Sequence, residues 1–219
     1  MKKLKNSIII LVGLLLLGAC QSKKQTGSRV NKLPYYKEAS FTPYWNLSES
    51  ELKTFHTISD FNLIDQSGQK ISNKTFDDKI YVVNFFFTTC PGICPKMTSN
   101  LSMVQKAYLK DKEVLILSHS VTPSIDSVEV LKHYAEVNDI QQNKWFLATG
   151  SRKEIYDLGR NSYFIEEDMG EELKEDDFLH TENFVLIDKN KHIRGIYNGL
   201  NKTATQQLII DIKTLKEAH

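Results

Sequence analysis

The feature that most constrains the fold of this chain is NFFFTTCPGICPKM, residues 84–97, where an apolar segment runs into two cysteines. Residues 80–87, IYVVNFFF, are almost all β-branched or aromatic, which predicts a strand buried on both faces. Pro95 fits the first turn of a following helix, where its missing N–H costs no hydrogen bond. We therefore expect Cys90 and Cys94 at the carboxyl end of a buried strand, where sites in α/β sheets collect.

The residues on either side of this stretch predict the rest of the architecture. A hairpin is expected to turn at Ser67-Gly68, ahead of a β-α-β-α segment with a second buried strand over 113–118. A short strand and a helix opened by a Ser151–Glu154 capping box follow, and then a β-hairpin and a closing helix. A right-handed βαβ crossover makes the first strands parallel. The prediction is a thioredoxin-like α/β fold: a central mixed sheet flanked by helices, with an N-terminal β-hairpin extension.

The N-terminus predicts a secretory signal. Three lysines precede an apolar run over 8–17, which is too short for a comfortable transmembrane helix of roughly 20 residues. The ending LGAC resembles a bacterial lipobox, which implies cleavage before Cys20 and lipid attachment to its thiol. We expect a signal peptide over 1–19, a lipidated N-terminus with spacer and aromatic arm over 20–57, and one domain over 58–219. The protein is expected outside the cytoplasm, anchored by lipid to a bacterial membrane.

The net charge and the number of cysteines exclude some classes of function. The formal net charge is +1 and becomes −2 once the three lysines of residues 1–19 are removed, so no nucleic-acid partner is expected. Lipidation of Cys20 leaves Cys90 and Cys94 as the remaining cysteines of the three, and outside the cytoplasm such a pair tends to oxidise. A bridge closing so small a loop stabilises little, which disfavours a purely structural disulfide. A redox couple and a metal site remain.

Both roles suit thiolates whose pKa is lowered at a helix N-terminus, so local chemistry leaves them open. Two features favour a metal site over a redox couple. The spacing C-x-x-x-C is one residue longer than the redox motif expected on this fold. Thioredoxin-type oxidoreductases carry a cis-proline just before the strand that faces the active site, whereas no proline precedes the later strand NFVLID here. His180 does precede it. If that strand runs antiparallel beside residues 80–87, His180 faces the two sulfurs. Two thiolates and an imidazole suit Cu(I) and also Cu(II), although zinc fits the same ligands.

At these residues the chain resembles the Sco/SenC family of copper-binding cytochrome c oxidase assembly proteins. The resemblance covers roughly residue 61 to the C-terminus and is carried by FTTCPGICPKM, SVTPSIDSVEVLKHYA, FLATGSRKEIYDLG and DFLHTENFVLIDKNKHIRGIYNG. It implies copper bound by Cys90, Cys94 and His180, and delivery of copper or reducing equivalents to the dinuclear copper site of oxidase subunit II. Thr122 stands where the family usually has an acid, while Asp126 matches a second acid.

The leading hypothesis is a membrane-tethered copper metallochaperone whose partner is oxidase subunit II or a related copper protein. It is expected to be a monomer, and it is not expected to be an enzyme. The rival is a thiol–disulfide oxidoreductase in which Cys90 attacks and Cys94 resolves, and a redox sensor is a third option. His119 is expected as a hydrogen-bonded loop histidine rather than an alternative ligand, and Met97 as a core residue. The remaining histidines are expected at the surface: His56, His133, His192 and His219.

Overall fold

The computed structural model describes residues 30–165 and 181–217. The strands are β1 (Asn62–Asp65), β2 (Lys70–Ser72), β3 (Ile80–Phe86), β4 (Val114–Ser120), β5 (Trp145–Thr149), β6 (Asn183–Ile187) and β7 (Ile193–Asn198). The helices are α1 (Glu49–Leu52), α2 (Cys94–Ala107), α3 (Val128–Val137), α4 (Arg152–Asp157) and α5 (Lys202–Glu217), with a 3₁₀ turn at Asn73–Phe76 and a π-helical turn at Leu158–Ser162. None of these helices is both long and apolar enough to span a bilayer.

The seven strands form one mixed sheet in the order β2-β1-β5-β4-β3-β6-β7. β3, β4 and β5 are parallel, and helices make the crossovers between them. β6 runs antiparallel beside β3, with Val83 opposite Val185, so the predicted pairing of these two strands is confirmed. The first residue of β6, Asn183, therefore lies toward the carboxyl end of β3, which is the end that leads to the cysteines.

The central strands are buried because both faces of the sheet are covered. Every residue of β3 is buried, and alternate side chains enter two different cores. Val83 and Phe85 pack with the hairpin and α4, whereas Val82 and Phe86 pack under α2, α3 and α5. Burial of one such side chain contributes roughly 1.5–3 kcal/mol, which explains why an unbroken apolar run marks this strand in the sequence.

The predicted hairpin forms the edge of the sheet. Gly68 turns it with a φ of +78°, a left-handed conformation that glycine adopts without steric cost. The Asp65 carboxylate stabilises the turn by accepting N–H bonds from Ser67 and Gln69, both at 2.9 Å. β1 then pairs antiparallel with β5, which places Ile64 opposite Thr149 and makes the hairpin an extension of the central sheet.

An N-terminal arm (residues 33–45) packs on the opposite edge, beside β7. The buried Arg194 guanidinium donates from Nη2 to the Leu33 carbonyl at 2.7 Å and from Nε to the Pro34 carbonyl at 2.9 Å. It also stacks on the Tyr35 ring, 3.8 Å from the centroid. The aromatic residues at the start of the arm thus pack against the domain.

The helix α4 begins at the predicted cap but with half of the predicted box. Ser151 Oγ accepts the Glu154 N–H at 3.4 Å. The Glu154 carboxylate does not return to the cap residue; it accepts the Asn62 N–H of β1 at 2.7 Å. The prediction of a full capping box is wrong in this respect, because the first backbone N–H of β1 offers the carboxylate a better-placed donor.

Candidate metal centre

The two cysteines lie at the junction of β3 and α2. Cys90 is in the loop, and its N–H donates to the Phe87 carbonyl at 3.3 Å, which closes a tight turn just after the strand. Cys94 is the first residue of α2, directly before Pro95, as the sequence predicts. The helix is held in place by its apolar face, where Leu101 is fully buried beneath the sheet. Strand and helix together therefore fix the positions of both sulfurs.

Burial distinguishes the two thiols. Cys94 is 5% exposed, whereas Cys90 is partly exposed. Burial raises the pKa of Cys94 to about 12, and the hydrogen bond that its thiol donates to Cys90 acts in the same direction. Burial opposes ionisation of Cys90 too, but hydrogen bonds from the Cys94 thiol and from the amides of Cys94, Gly92 and Ile93 outweigh it and lower the pKa of Cys90. The reduced pair therefore ionises first at Cys90.

This arrangement has two chemical uses. Both cysteines are free, so they can form a disulfide with each other or hold a metal between them. A thiolate is both the nucleophile of thiol–disulfide exchange and the ligand that soft metals prefer. Cys90, as the more exposed and more readily ionised sulfur, is the one that an incoming metal or disulfide meets first. A donor set of two cysteines fits Cu(I).

The proposed third ligand, His180, lies outside the described residues, as does the lipidation candidate Cys20. The described chain resumes at Thr181, two residues before β6 begins beside the carboxyl end of β3. Within residues 30–165 and 181–217, no group of three or more His, Cys, Asp or Glu side chains is placed to hold a metal. The described residues thus include two of the three predicted ligands, Cys90 and Cys94, and the copper site stays a prediction.

Three other histidines differ from the prediction in their burial or hydrogen bonding. His119 belongs to β4, is fully buried, and has no hydrogen-bond partner among the described residues, so the prediction of a hydrogen-bonded loop residue is wrong. It stacks on Phe85 in the core on the opposite face of the sheet from Cys94. His119 is therefore excluded as an alternative ligand for a metal held by Cys94. His192 is buried rather than at the surface, and its Nδ1 lies 2.8 Å from the His56 carbonyl oxygen. His56 is itself half-buried.

Methionine 97 is 1% exposed in the core beneath α2, so its prediction as a core residue is confirmed. The hydrogen bonds between Thr88 and Asp126, close to the thiols, were not predicted. Thr88, two residues before Cys90, donates its hydroxyl to Asp126 at 2.5 Å and its N–H at 3.3 Å. Thr122 also donates to Asp126, at 3.1 Å, which an ionised acid at that position is unable to do. The single sequence signal was the match of Asp126 to a family acid.

Comparisons with known proteins agree with this geometry. The SCO1/SenC family model matches residues 49–217. A SCO1/SenC family lipoprotein from Bacillus anthracis is 28% identical, with a TM-score of 0.63 over 74% of this chain and 95% of its own. BsSco, a member of the Sco family of cytochrome c oxidase assembly proteins in which a disulfide switch was identified, is 25% identical, with a TM-score of 0.62 over 75% and 95%.

A further structure shares the fold at lower identity. ScoI of Bradyrhizobium japonicum, solved with copper bound, is 24% identical and has a TM-score of 0.57 over 73% of this chain and 99% of its own. These matches confirm the predicted fold class of a mixed, thioredoxin-like sheet flanked by helices.

Proposed function

Since this chain belongs to the SCO1/SenC family, we propose that it is a membrane-tethered copper metallochaperone that delivers copper to the dinuclear copper site of cytochrome c oxidase subunit II. One observation carries the proposal: two free cysteines, one ionising readily and one buried, lie together where β3 meets α2. Copper is the cargo, and its release to a partner requires one sulfur that the partner can reach. Cys90 meets that requirement.

In this proposal Cys90 and Cys94 bind Cu(I) as thiolates, and His180 completes the site and supports Cu(II). The pairing of β6 with β3 supports the assignment of His180, since the chain enters β6 beside the end of β3 that leads to Cys90. The copper-bound ScoI structure supports the choice of metal, because a protein of the same fold holds that ion.

The second candidate is a thiol–disulfide oxidoreductase that reduces the cysteines of the subunit II site. The observation that favours it is the contrast between the two thiols, since Cys90 has the lowered pKa and exposure of an attacking thiol and Cys94 the burial of a resolving one. The disulfide switch identified in BsSco is consistent with such chemistry. The long C-x-x-x-C spacing argues against it.

Substitution of His180 separates the two functions. The whole chain carrying Cys20→Ala retains Cys90 and Cys94 as its thiols and is the reference protein. We expect it to retain one copper after gel filtration and to show thiolate-to-Cu(II) absorption. His180→Ala should lose most of the retained copper and the absorption while still exchanging disulfides with glutathione. His133→Ala, which removes an exposed histidine, is the matched control and should behave as the reference.

Two results would decide against the chaperone. Copper retention that is unchanged by His180→Ala would show that the three-ligand chaperone site proposed here is wrong. A reference protein that retains no copper but rapidly reduces a disulfide substrate establishes the oxidoreductase in its place.

The anchor and domain division are also proposed: a signal peptide over 1–19, lipid on Cys20, and a domain over 58–219. The Bacillus anthracis relative is a lipoprotein, which supports the anchor. Cells grown with radiolabelled fatty acid should label the wild-type protein, and Cys20→Ala should abolish the label. A label that is unaffected by Cys20→Ala would exclude lipid on this residue. The monomeric state stays a prediction.

A further inference from the structure

Asp126 is a fully buried carboxylate in the loop between β4 and α3. Two hydroxyl groups from the β4 side donate to it, Ser120 Oγ at 2.5 Å and Thr122 Oγ1 at 3.1 Å. Thr88 donates from the other side with its hydroxyl and its N–H. No Lys, Arg or His of residues 30–165 and 181–217 forms an ion pair with it. Hydrogen bonds are therefore what balance the burial of this carboxylate.

Thr88 lies inside the turn that carries the exposed thiol. It follows Phe87, whose carbonyl accepts the Cys90 N–H, and it precedes Cys90 by two residues. The Val121 N–H donates to the Phe86 carbonyl at 2.9 Å, which keeps the ends of β3 and β4 side by side. The bonds between Thr88 and Asp126 thus fasten the Cys90 turn to the neighbouring loop, while Cys94 is fixed independently by α2.

We propose that Asp126 is a positioning residue for the thiol pair and acts through Thr88. Within the described part of the chain, its hydrogen bonds are with Thr88, Ser120 and Thr122 and not with either sulfur. By holding the turn, it keeps the Cys90 sulfur within hydrogen-bonding reach of Cys94, so that both can face one ion or join in a disulfide. The consequence for copper rests on the proposed function, whereas the consequence for disulfide formation does not. A fixed geometry raises the effective concentration of one thiol at the other.

The test measures disulfide formation in the whole chain carrying Cys20→Ala. Oxidised glutathione converts the protein dithiol to its disulfide and yields two reduced glutathiones, so no other oxidant is needed. Thr88→Val removes the hydroxyl donor at nearly constant volume and should lower the equilibrium constant about fivefold, the equivalent of one hydrogen bond. Cu(I) affinity, from competition with a chromophoric chelator, should fall by a similar factor. Thr205→Val is the matched control, because it removes a buried hydroxyl of α5 that donates to the Asn201 carbonyl.

Asp126→Asn distinguishes positioning from charge. An amide oxygen still accepts from Thr88, and the rotatable hydroxyls of Ser120 and Thr122 can accept from the amide NH₂. We therefore expect Asp126→Asn to stay within about twofold of the reference protein, since a twofold change is smaller than the loss of one hydrogen bond. A fall of about fivefold or more in Asp126→Asn, the size expected for Thr88→Val, would show that the charge matters, and it would overturn a positioning role.

Other outcomes separate this inference from the proposed function. An unchanged equilibrium constant in Thr88→Val, or an equal fall in Thr88→Val and Thr205→Val, overturns the positioning role even when the reference protein binds copper. A reference protein that binds no copper, with the constant still lowered in Thr88→Val, overturns the chaperone and leaves the positioning role supported.

Discussion

Acidification is expected to destabilise this protein through His119. Its ring is fully buried, lies 4.9 Å from the Phe85 ring and 5.5 Å from the Tyr163 ring, and has no hydrogen-bond partner among the described residues. Burial lowers the pKa of His119 from 6.5 to about 3. Because the folded pKa lies below the unfolded value, the unfolded chain binds the proton first. Stability is therefore complete above pH 6.5 and is lost as the pH falls toward 3.

The size of the effect follows from the two pKa values. At 1.36 kcal/mol per pH unit, the free energy of unfolding should fall by about 2 kcal/mol between pH 7 and pH 5, and by about 5 kcal/mol once the pH is below both values. Since domains are stable by only about 5–15 kcal/mol, the change by pH 5 is readily measured.

Urea denaturation at pH 7 and pH 5 tests this expectation in wild type and His119→Phe. Phenylalanine keeps an aromatic ring in the cluster but has no proton to bind. The stability lost on going to pH 5 should be smaller in His119→Phe by about 2 kcal/mol, since other titrating groups contribute equally to both proteins. His133→Gln removes an exposed histidine and should lose as much stability as wild type.

Equal losses in wild type and His119→Phe would refute the reasoning. That result would mean that His119 takes up a proton in the folded state near its ordinary pKa, which is incompatible with a buried ring that lacks a partner.

Three further outcomes are expected. Iodoacetamide at pH 7 should label Cys90 well before Cys94 in peptide mass spectrometry, because the pKa of Cys90 is lowered and that of Cys94 raised. Gly199→Ala should cost about 1–3 kcal/mol in urea denaturation, since its Cβ would lie 2.6 Å from the Phe184 ring and 2.8 Å from a backbone carbonyl oxygen. Arg194→Met should cost about 3–5 kcal/mol and speed proteolysis of the arm, because it leaves a buried carboxylate unpaired and removes the donors to the arm carbonyls.

Each of these outcomes has a clear contrary result. Equal labelling of the two cysteines would mean that their environments do not differ as the structure indicates. Gly92→Ala, whose Cβ would meet nothing within 4 Å, is the control for Gly199→Ala, and equal losses in both would remove the steric argument. An arm that resists protease equally in wild type and Arg194→Met would show that Arg194 does not hold it.

Much of the fold was predictable because neighbouring residues determine it. A continuous β-branched and aromatic run identifies β3, and apolar residues at helical spacing after Pro95 identify α2. The position of Cys94 at the start of that helix follows from the same two signals. These predictions depend on periodicity and on the properties of proline, both of which can be read within a short window of sequence.

Burial of polar side chains was not predictable in the same way. His192 was expected at the surface, but the N-terminal arm covers it, and Tyr35 packs against its ring at 5.5 Å. His119 is enclosed by Phe61 of the segment before β1 and by Tyr163 near the π-helical turn. In both cases the covering residues come from distant parts of the chain, so no local pattern marks the burial.

The sequence by itself determined which segments become strands and helices and that two thiols end a buried strand, because these depend on contacts between near neighbours. Only the tertiary structure decided how the two thiols differ and what holds them. Thr88 and Asp126 are 38 residues apart and meet because β3 and β4 are adjacent in the sheet. The burial that raises the pKa of Cys94 likewise exists only once α2 packs against the sheet, since it is the loss of water that disfavours the thiolate.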